Sequence, residues 1–265
     1  MTSKYKELCL QACEIARESG KIMAEERKNF DPEKIENKGM HDLVSYVDKE
    51  SELRIIDALS KILPESGFIA EEGTTDIKGE RYNWIIDPLD GTTNFIQGVP
   101  LYCVSIGLLD KDELVVGVVY EVGRDECFYA WKDGGAFLNG EPIHVSKRGD
   151  IHDALLATGF PYSEFSRMDE YIEFLKWTMV NARGVRRLGS AAADMVYVAC
   201  GRFDAFWEYD LKPWDVAGGA VIVKEAGGTV TDYSGGNNYL FGREIIASNV
   251  LLDEVILGKI TTPNP

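Results

Sequence analysis

Trp84-Ile85-Ile86-Asp87-Pro88-Leu89-Asp90-Gly91-Thr92-Thr93-Asn94-Phe95 runs from a short apolar segment into two carboxylates, then into a glycine followed by two hydroxyl side chains. The apolar run reads as a buried strand. Pro88 predicts a turn after Asp87, and Gly91-Thr92-Thr93 predicts a short helix whose free backbone N–H groups point at the two carboxylates. Amides at a helix start bind phosphate oxygens, and clustered aspartates bind magnesium. Carboxylates alone would repel phosphate, and when crowded they force one pKa upward. A shared divalent cation removes both problems. Each aspartate also has an ordinary reading, because Asp-Pro and Asp-Gly are common turn pairs and an Asp before a helix is usually its cap. Specificity comes from the whole string, in this order, at a strand end.

Further acids of the same kind lie elsewhere in the chain. Glu71-Glu72 follows the apolar run Gly67–Ala70, again at the carboxyl end of an expected strand. Asp215, in Trp214-Asp215-Val216, is expected to open a helix after Pro213, and Asp48 closes the segment Asp42–Asp48. Singly, Asp215 reads equally as a helix residue favoured by the dipole, Glu71 and Glu72 as solvated turn acids, and Asp48 as a cap. Together with Asp87 and Asp90 they make an all-oxygen donor set, which suits magnesium rather than zinc or copper.

Outward from these segments the apolar spacing lays out alternating elements. A helical period spans about Tyr5 to Phe30 through Leu8, Ala12, Ile15, Ala16, Ile22 and Met23. A second runs from about Asp48 to Leu63 through Leu53, Ile56, Leu59 and Ile62. Strands are expected at Phe68–Ala70, Trp84–Ile86, Val104–Leu109, Leu114–Val122 and Glu126–Trp131. Gly134-Gly135 and Asn139-Gly140 punctuate a further hairpin. Beyond residue 150, strands at Leu155–Thr158, Ala205–Glu208 and Ile245–Ala247 alternate with helices at Tyr171–Val180, Ala191–Cys200, Val216–Ala226 and Val250–Ile260. No repeat or low-complexity linker interrupts this order, which predicts layered helices and sheets in one unit of two halves joined near residues 140–155.

Composition narrows the function. The 265 residues are 45% apolar, ample for a core, and the formal net charge of −16 argues against direct binding of nucleic acid. The five cysteines form no CxxC pair and fit buried free thiols in a reducing compartment. The amino terminus lacks an apolar signal core, and no run of 18 apolar residues could span a membrane. A cytoplasmic protein is expected. His41, His144 and His152 are too scattered for a metal cluster. Neither a phosphate-binding GxxxxGK[ST] loop nor a GxSxG nucleophile elbow occurs. The aromatic residues lie on apolar strands and helices and read as core rather than as a base-stacking platform.

At this point the chain resembles the inositol monophosphatase family, magnesium-dependent and lithium-sensitive phosphatases of sugars and polyols. Trp84–Phe95 is similar to the family's first signature, and Trp214-Asp215-Val216-Ala217-Gly218-Gly219 through Gly227-Gly228 to its second. Glu71-Glu72 and the Lys38–Asp48 segment fall at the expected places. Gln97, where members often carry histidine, and Pro213 depart from the pattern. The resemblance implies an α+β fold, a layered α-β-α-β-α sandwich of the sugar phosphatase type. Its two intimately packed halves would be about 1–145, with the metal motif, and about 146–265, with the substrate residues, in one domain spanning 1–265. It implies a first magnesium held by Glu71, Asp87 and the Leu89 carbonyl, a second between Asp87, Asp90 and Asp215, and a weaker third near Glu71. Thr92, oriented by Asp48, would help activate the attacking water, with Glu71 also catalytic. Gly91 and Thr92 would hold the phosphate, and Asp90, Gly189, Ala191, Glu208 and Asp215 would contact the substrate. The expected reaction is hydrolysis of myo-inositol monophosphate by a metal-activated water, in a homodimer. Fructose 1,6-bisphosphate, 3′-phosphoadenosine 5′-phosphate and histidinol phosphate are the alternative esters, and a non-catalytic regulatory protein is a rival of another class.

Overall fold

The computed structural model describes residues 2–30, 35–37 and 43–260. Their elements, in order, are α1 (Thr2–Lys28), β1 (Ile35–Asn37), β2 (Leu43–Ser45), α2 (Tyr46–Ile62), β3 (Gly67–Ala70), β4 (Tyr82–Asp90), α3 (Thr92–Gln97), β5 (Cys103–Asp110), β6 (Glu113–Glu121), β7 (Glu126–Trp131), β8 (Ala136–Leu138), β9 (Glu141–Ile143), β10 (Leu155–Thr158), α4 (Met168–Asn181), β11 (Gly184–Arg186), α5 (Ala191–Ala199), β12 (Ala205–Tyr209), α6 (Pro213–Glu225), β13 (Thr229–Thr231), β14 (Glu244–Ser248) and α7 (Asp253–Ile260). Strands β3 to β9 form a seven-stranded sheet in sequence order, antiparallel except for the parallel β3–β4 pair. A five-stranded sheet has the order β11-β10-β12-β14-β13, with β10 parallel to both its neighbours. β1 and β2 pair antiparallel beside these sheets.

Strand alternation explains why these elements stack into layers. On the large sheet, Trp84, Ile86, Val104, Ile106, Val116 and Val118 pack with Leu8, Ala12, Ala16 and Met23 of α1 and Ile55 and Leu59 of α2. The opposite face presents Ile85 and Val119 to α5 and α6. The small sheet shares that middle layer through Ala157, Phe206 and Ala247. Its outer face carries Leu156, Trp207 and Ile246 against Phe174 of α4 and Ile256 of α7. The result is the expected α-β-α-β-α sandwich, with α5 and α6 serving both sheets.

α6 is buried along its length from Val216 to Val223. It reaches the large sheet because Gly107 and Gly117, paired across β5 and β6, leave a notch there. A Cβ at Gly117 would stand 2.3 Å from the Gly218 carbonyl oxygen, and one at Gly107 2.7 Å from the Ala217 Cβ. Ser105 Oγ donates to the Trp214 carbonyl at 3.2 Å and ties the first turn of α6 to β5. The notch thereby sets how close Asp215 comes to the acids on β4.

Several boundaries differ from expectation, each for a physical reason. Pro88 does not end its strand: β4 continues to Asp90, which pairs with Cys103 after a register shift that follows Asp87. The missing proline N–H is accommodated at that irregularity. α2 begins before Asp48 and buries Val47, Asp48, Ser51, Glu52, Ile55 and Leu59. Leu53 is 53% exposed, so the inward face is rotated from the one its apolar spacing suggests and carries two acids. α6 starts at Pro213, so Asp215 is its third residue rather than its first. The last helix starts at Asp253, three residues later than expected. The short strands β11 and β13 have no counterpart in the sequence reading. All five cysteines are free, four of them buried. His41, Lys38 and Asp42 lie outside the described residues.

Candidate active site

The acids of the two signatures meet at one cavity of about 490 Å³, between the carboxyl end of β4, the start of α6 and the segments around residues 160 and 189. Glu71, Asp87, Leu89, Asp90, Gly91, Thr92, Gly189, Ala191, Glu208 and Asp215 all line it. Asp48 stands directly behind Thr92 and is buried. The residues proposed from sequence are thus brought together. Glu72 is not among the lining residues.

Asp87 Oδ1 accepts the Leu89 N–H at 2.9 Å, so the β4 irregularity folds the carboxylate back over its own chain. Asp90 accepts from Ser190 Oγ at 2.7 Å and from the Ala192 N–H at 2.6 Å, at the amino end of α5. Asp215 accepts the Lys212 N–H at 2.6 Å and closes the first turn of its own helix. The Thr92 hydroxyl lies 3.1 Å from both Asp48 Oδ1 and the Leu89 carbonyl. Gly91 precedes α3 at φ 98°, a left-handed conformation that suits glycine. A Cβ there would approach the Leu101 and Gly189 carbonyls. Asn94 Nδ2 donates to the carbonyls of Leu101 and Leu188 and fastens α3 to the segment before α5.

Crowding of buried acids has the expected electrostatic effect. Burial, reinforced by Asp215, pushes the Glu71 carboxyl well above its ordinary range. Burial together with Glu71 does the same to Asp87. Burial raises Asp90 to about 6 despite its bonds to Ser190 and Ala192. Burial and Asp90 raise Asp215 to about 7. On the far wall, Glu208 is buried beneath Gly159, where a Cβ would collide with the Glu208 carboxylate. Asp194 is also buried there, with Oδ1 making no hydrogen bond to the described residues.

Other residues shape the site without a signal in the sequence reading. Glu52, fully buried on α2, accepts the Glu72 and Thr74 N–H groups at 2.7 and 2.8 Å and holds the turn that follows Glu71. Ser190, Asp194, Arg187, Tyr162 and Lys212 line the cavity. The pairing of Ser190 with Asp90 spans 100 residues, so no local pattern could reveal it.

Residues 4–262 match the inositol monophosphatase family model. The chain belongs to that family. Among its relatives, the Nus factor SuhB of Escherichia coli is 40% identical over 250 residues, 94% of each chain. The inositol-1-monophosphatase of Mesorhizobium japonicum is 37% identical over 251 residues, again 94% of each. In three dimensions, the crystal structure of the extragenic suppressor protein suhB from Bartonella henselae superposes with a TM-score of 0.90 at 37% identity, covering 98% of this chain and 99% of that one.

The family is a metal-dependent one, and the donors here fit a hard divalent cation. They are all oxygens, and Glu71 Oε2 is buried without a hydrogen-bond partner among the described residues. Burial is the first cause of the raised pKa values of these acids, and a cation seated among them would favour their ionised forms. The fit is one of chemistry rather than of a finished cage. Among the described residues, no three His, Cys, Asp or Glu side chains converge closely enough to enclose an ion. Asp87, Asp90 and Asp215 are each anchored by an N–H of the chain.

Proposed function

We propose that this protein is a magnesium-dependent phosphatase of small polyol or sugar monophosphates, with myo-inositol monophosphate the first candidate. The observation that carries the reading is the single cavity in which Glu71, Asp87, Asp90 and Asp215 face Thr92 and the Asp48 behind it. Glu71, Asp87, Asp90, Asp215 and the Leu89 carbonyl would hold two or three magnesium ions, which supply the positive charge that phosphoryl transfer requires. The Gly91 and Thr92 amides would take phosphate oxygens. The Thr92 hydroxyl, with Asp48 as acceptor behind it, would orient the attacking water and draw off its proton. Water adds to phosphorus as the ester P–O bond breaks, and the alcohol leaves with a proton. Glu208, Ala191 and Gly189 would meet the polyol. The free thiols fit a cytoplasmic setting, and the homodimer rests on family resemblance.

Phosphate release with magnesium over a panel of myo-inositol 1-phosphate, fructose 1,6-bisphosphate, 3′-phosphoadenosine 5′-phosphate and histidinol phosphate tests the reading. The inositol ester should turn over fastest, and Asp87→Asn should abolish turnover while leaving the chain folded. Lithium should inhibit uncompetitively with respect to the ester. Near wild-type turnover by Asp87→Asn at saturating magnesium would refute the site assignment. A second reading is favoured by the name Nus factor carried by the Escherichia coli relative. It is a regulatory role beside other macromolecules, and absence of phosphate release from every ester would move the balance to it.

A further inference from the structure

The mouth of the cavity contains a device that the signature motifs do not include. Asp210, directly after β12, has a left-handed backbone (φ 69°). Its carboxylate accepts three consecutive N–H groups from a segment almost 50 residues earlier: Tyr162 at 3.1 Å, Ser163 at 2.6 Å and Glu164 at 3.0 Å. The Ser163 hydroxyl adds a bond at 2.9 Å, and the Arg243 guanidinium pairs with the other side of the carboxylate. The Asp210 side chain is 2% exposed. Burial alone would raise its pKa, but the Ser163 and Glu164 donors and Arg243 outweigh that and leave it lowered.

The captured segment supports a cation. Tyr162 Oη accepts from Arg187 Nη2 at 2.7 Å, and the guanidinium carbon lies 5.4 Å from the Phe160 ring centre and 5.8 Å from that of Tyr162. Arg187 has no carboxylate within ion-pair distance among the described residues, although its charge favours the ionised forms of Asp194 and Glu208 across the cavity. Phe160, Tyr162, Ser163, Arg187 and Asp210 all line the cavity.

We infer that Asp210 is a positioning residue: by clamping the 162–164 turn it fixes Tyr162, and through Tyr162 it holds the Arg187 guanidinium at the cavity mouth to receive the polar, oxygen-rich alcohol portion of the substrate. The inference rests on the reading of the cavity as a sugar- or polyol-phosphate site. It assigns Asp210 to substrate binding rather than to the chemical step, because the clamp touches neither Thr92 nor the acids on β4.

Three variants test it. Asp210→Gly removes the carboxylate and relieves the left-handed backbone, so the chain should fold. Asp210→Asn keeps one acceptor oxygen and tolerates the same φ. Tyr162→Phe removes the hydrogen bond to Arg187, keeps the ring beside the guanidinium and leaves the clamp intact. Amide hydrogen exchange of the substrate-free protein should quicken at residues 163 and 164 by roughly tenfold or more in Asp210→Gly and by less in Asp210→Asn, as expected when a charged acceptor is lost. It should stay at the wild-type rate in Tyr162→Phe. The calorimetric Kd for myo-inositol 1-phosphate and the KM should rise by about tenfold in Asp210→Gly and in Tyr162→Phe, with kcat within about threefold of wild type. The double variant should bind no more weakly than the worse single one. Unchanged exchange in Asp210→Gly, or quickened exchange with unchanged affinity, overturns the inference. Wild-type protein that neither binds nor hydrolyses the ester overturns the phosphatase reading instead, while the exchange rates still decide whether the clamp exists.

Discussion

Thr92 has one hydroxyl proton and two acceptors at equal distance, Asp48 Oδ1 and the Leu89 carbonyl. A group so placed can accept from a water on its free side while passing its own proton toward a buried carboxylate. Thr92→Ala should therefore lower kcat by about 10²- to 10⁴-fold, the usual worth of general-base assistance. KM should barely move, because the Thr92 amide remains. Steady-state kinetics decide the matter, and a change confined to KM would reduce Thr92 to a phosphate contact. Glu71 and Asp87 stood out in the sequence because each ends a short apolar run, Asp90 and Thr92 because they follow within the same string, and Asp215 because it lies just after Pro213 at an expected helix start. Glu52 and Asp194 were not legible. In sequence they are an acid within an amphipathic helix and an acid after three alanines, and only the folded chain shows Glu52 buried behind the turn after Glu71 and Asp194 buried in the cavity wall.

The elements show the same division. Long strands such as β6 and β7 were legible from uninterrupted apolar runs bounded by turns. β11 and β13 were not, since three residues carry no usable period. Of the α2 stripe expected through Leu53, Ile56, Leu59 and Ile62, Leu59 is buried and Ile56 and Ile62 pack at the edge of the core, whereas Leu53 is exposed and Ile55 takes the inward place. α6 depends on the glycine notch beneath it. Gly117→Ala should destabilise the fold by at least about 3 kcal/mol, the upper part of the usual cost of overpacking, since the new methyl meets a carbonyl oxygen rather than a yielding side chain. Gly258→Ala, on α7 where no atom of the described residues lies within 4 Å of the added Cβ, should be neutral or stabilising by up to about 1 kcal/mol. Denaturant unfolding of the two variants checks both signs, and equal losses would remove the notch from the account.

Across the whole molecule the net charge of −16 and the buried acids of the cavity act together. Magnesium that occupies the site binds only the folded chain, so it should raise the melting temperature. At a hundredfold excess over Kd the gain is about 2.7 kcal/mol, or roughly 5–10 °C for a domain of this size. Asp87→Asn should melt higher than wild type without magnesium, because one repelling charge is gone, and should respond weakly when the ion is added. Calorimetric scans with magnesium and with a chelator test this, and an equal response in both proteins would place the bound ion elsewhere.

The close seat of α6 on the large sheet also bears on how such a molecule can change over generations. Where backbone meets backbone, as at Gly117 and Gly218, no neighbouring side chain can shrink to admit a new one, so single substitutions there have no tolerated intermediate. The floor that carries Asp215 is in that sense frozen. The rim built by residues 160–164 and 209–212 is attached by side-chain bonds that can be exchanged one at a time. On the proposed reading of the cavity, a lineage descended from this chain is free to explore new alcohols at the rim while inheriting the same floor below.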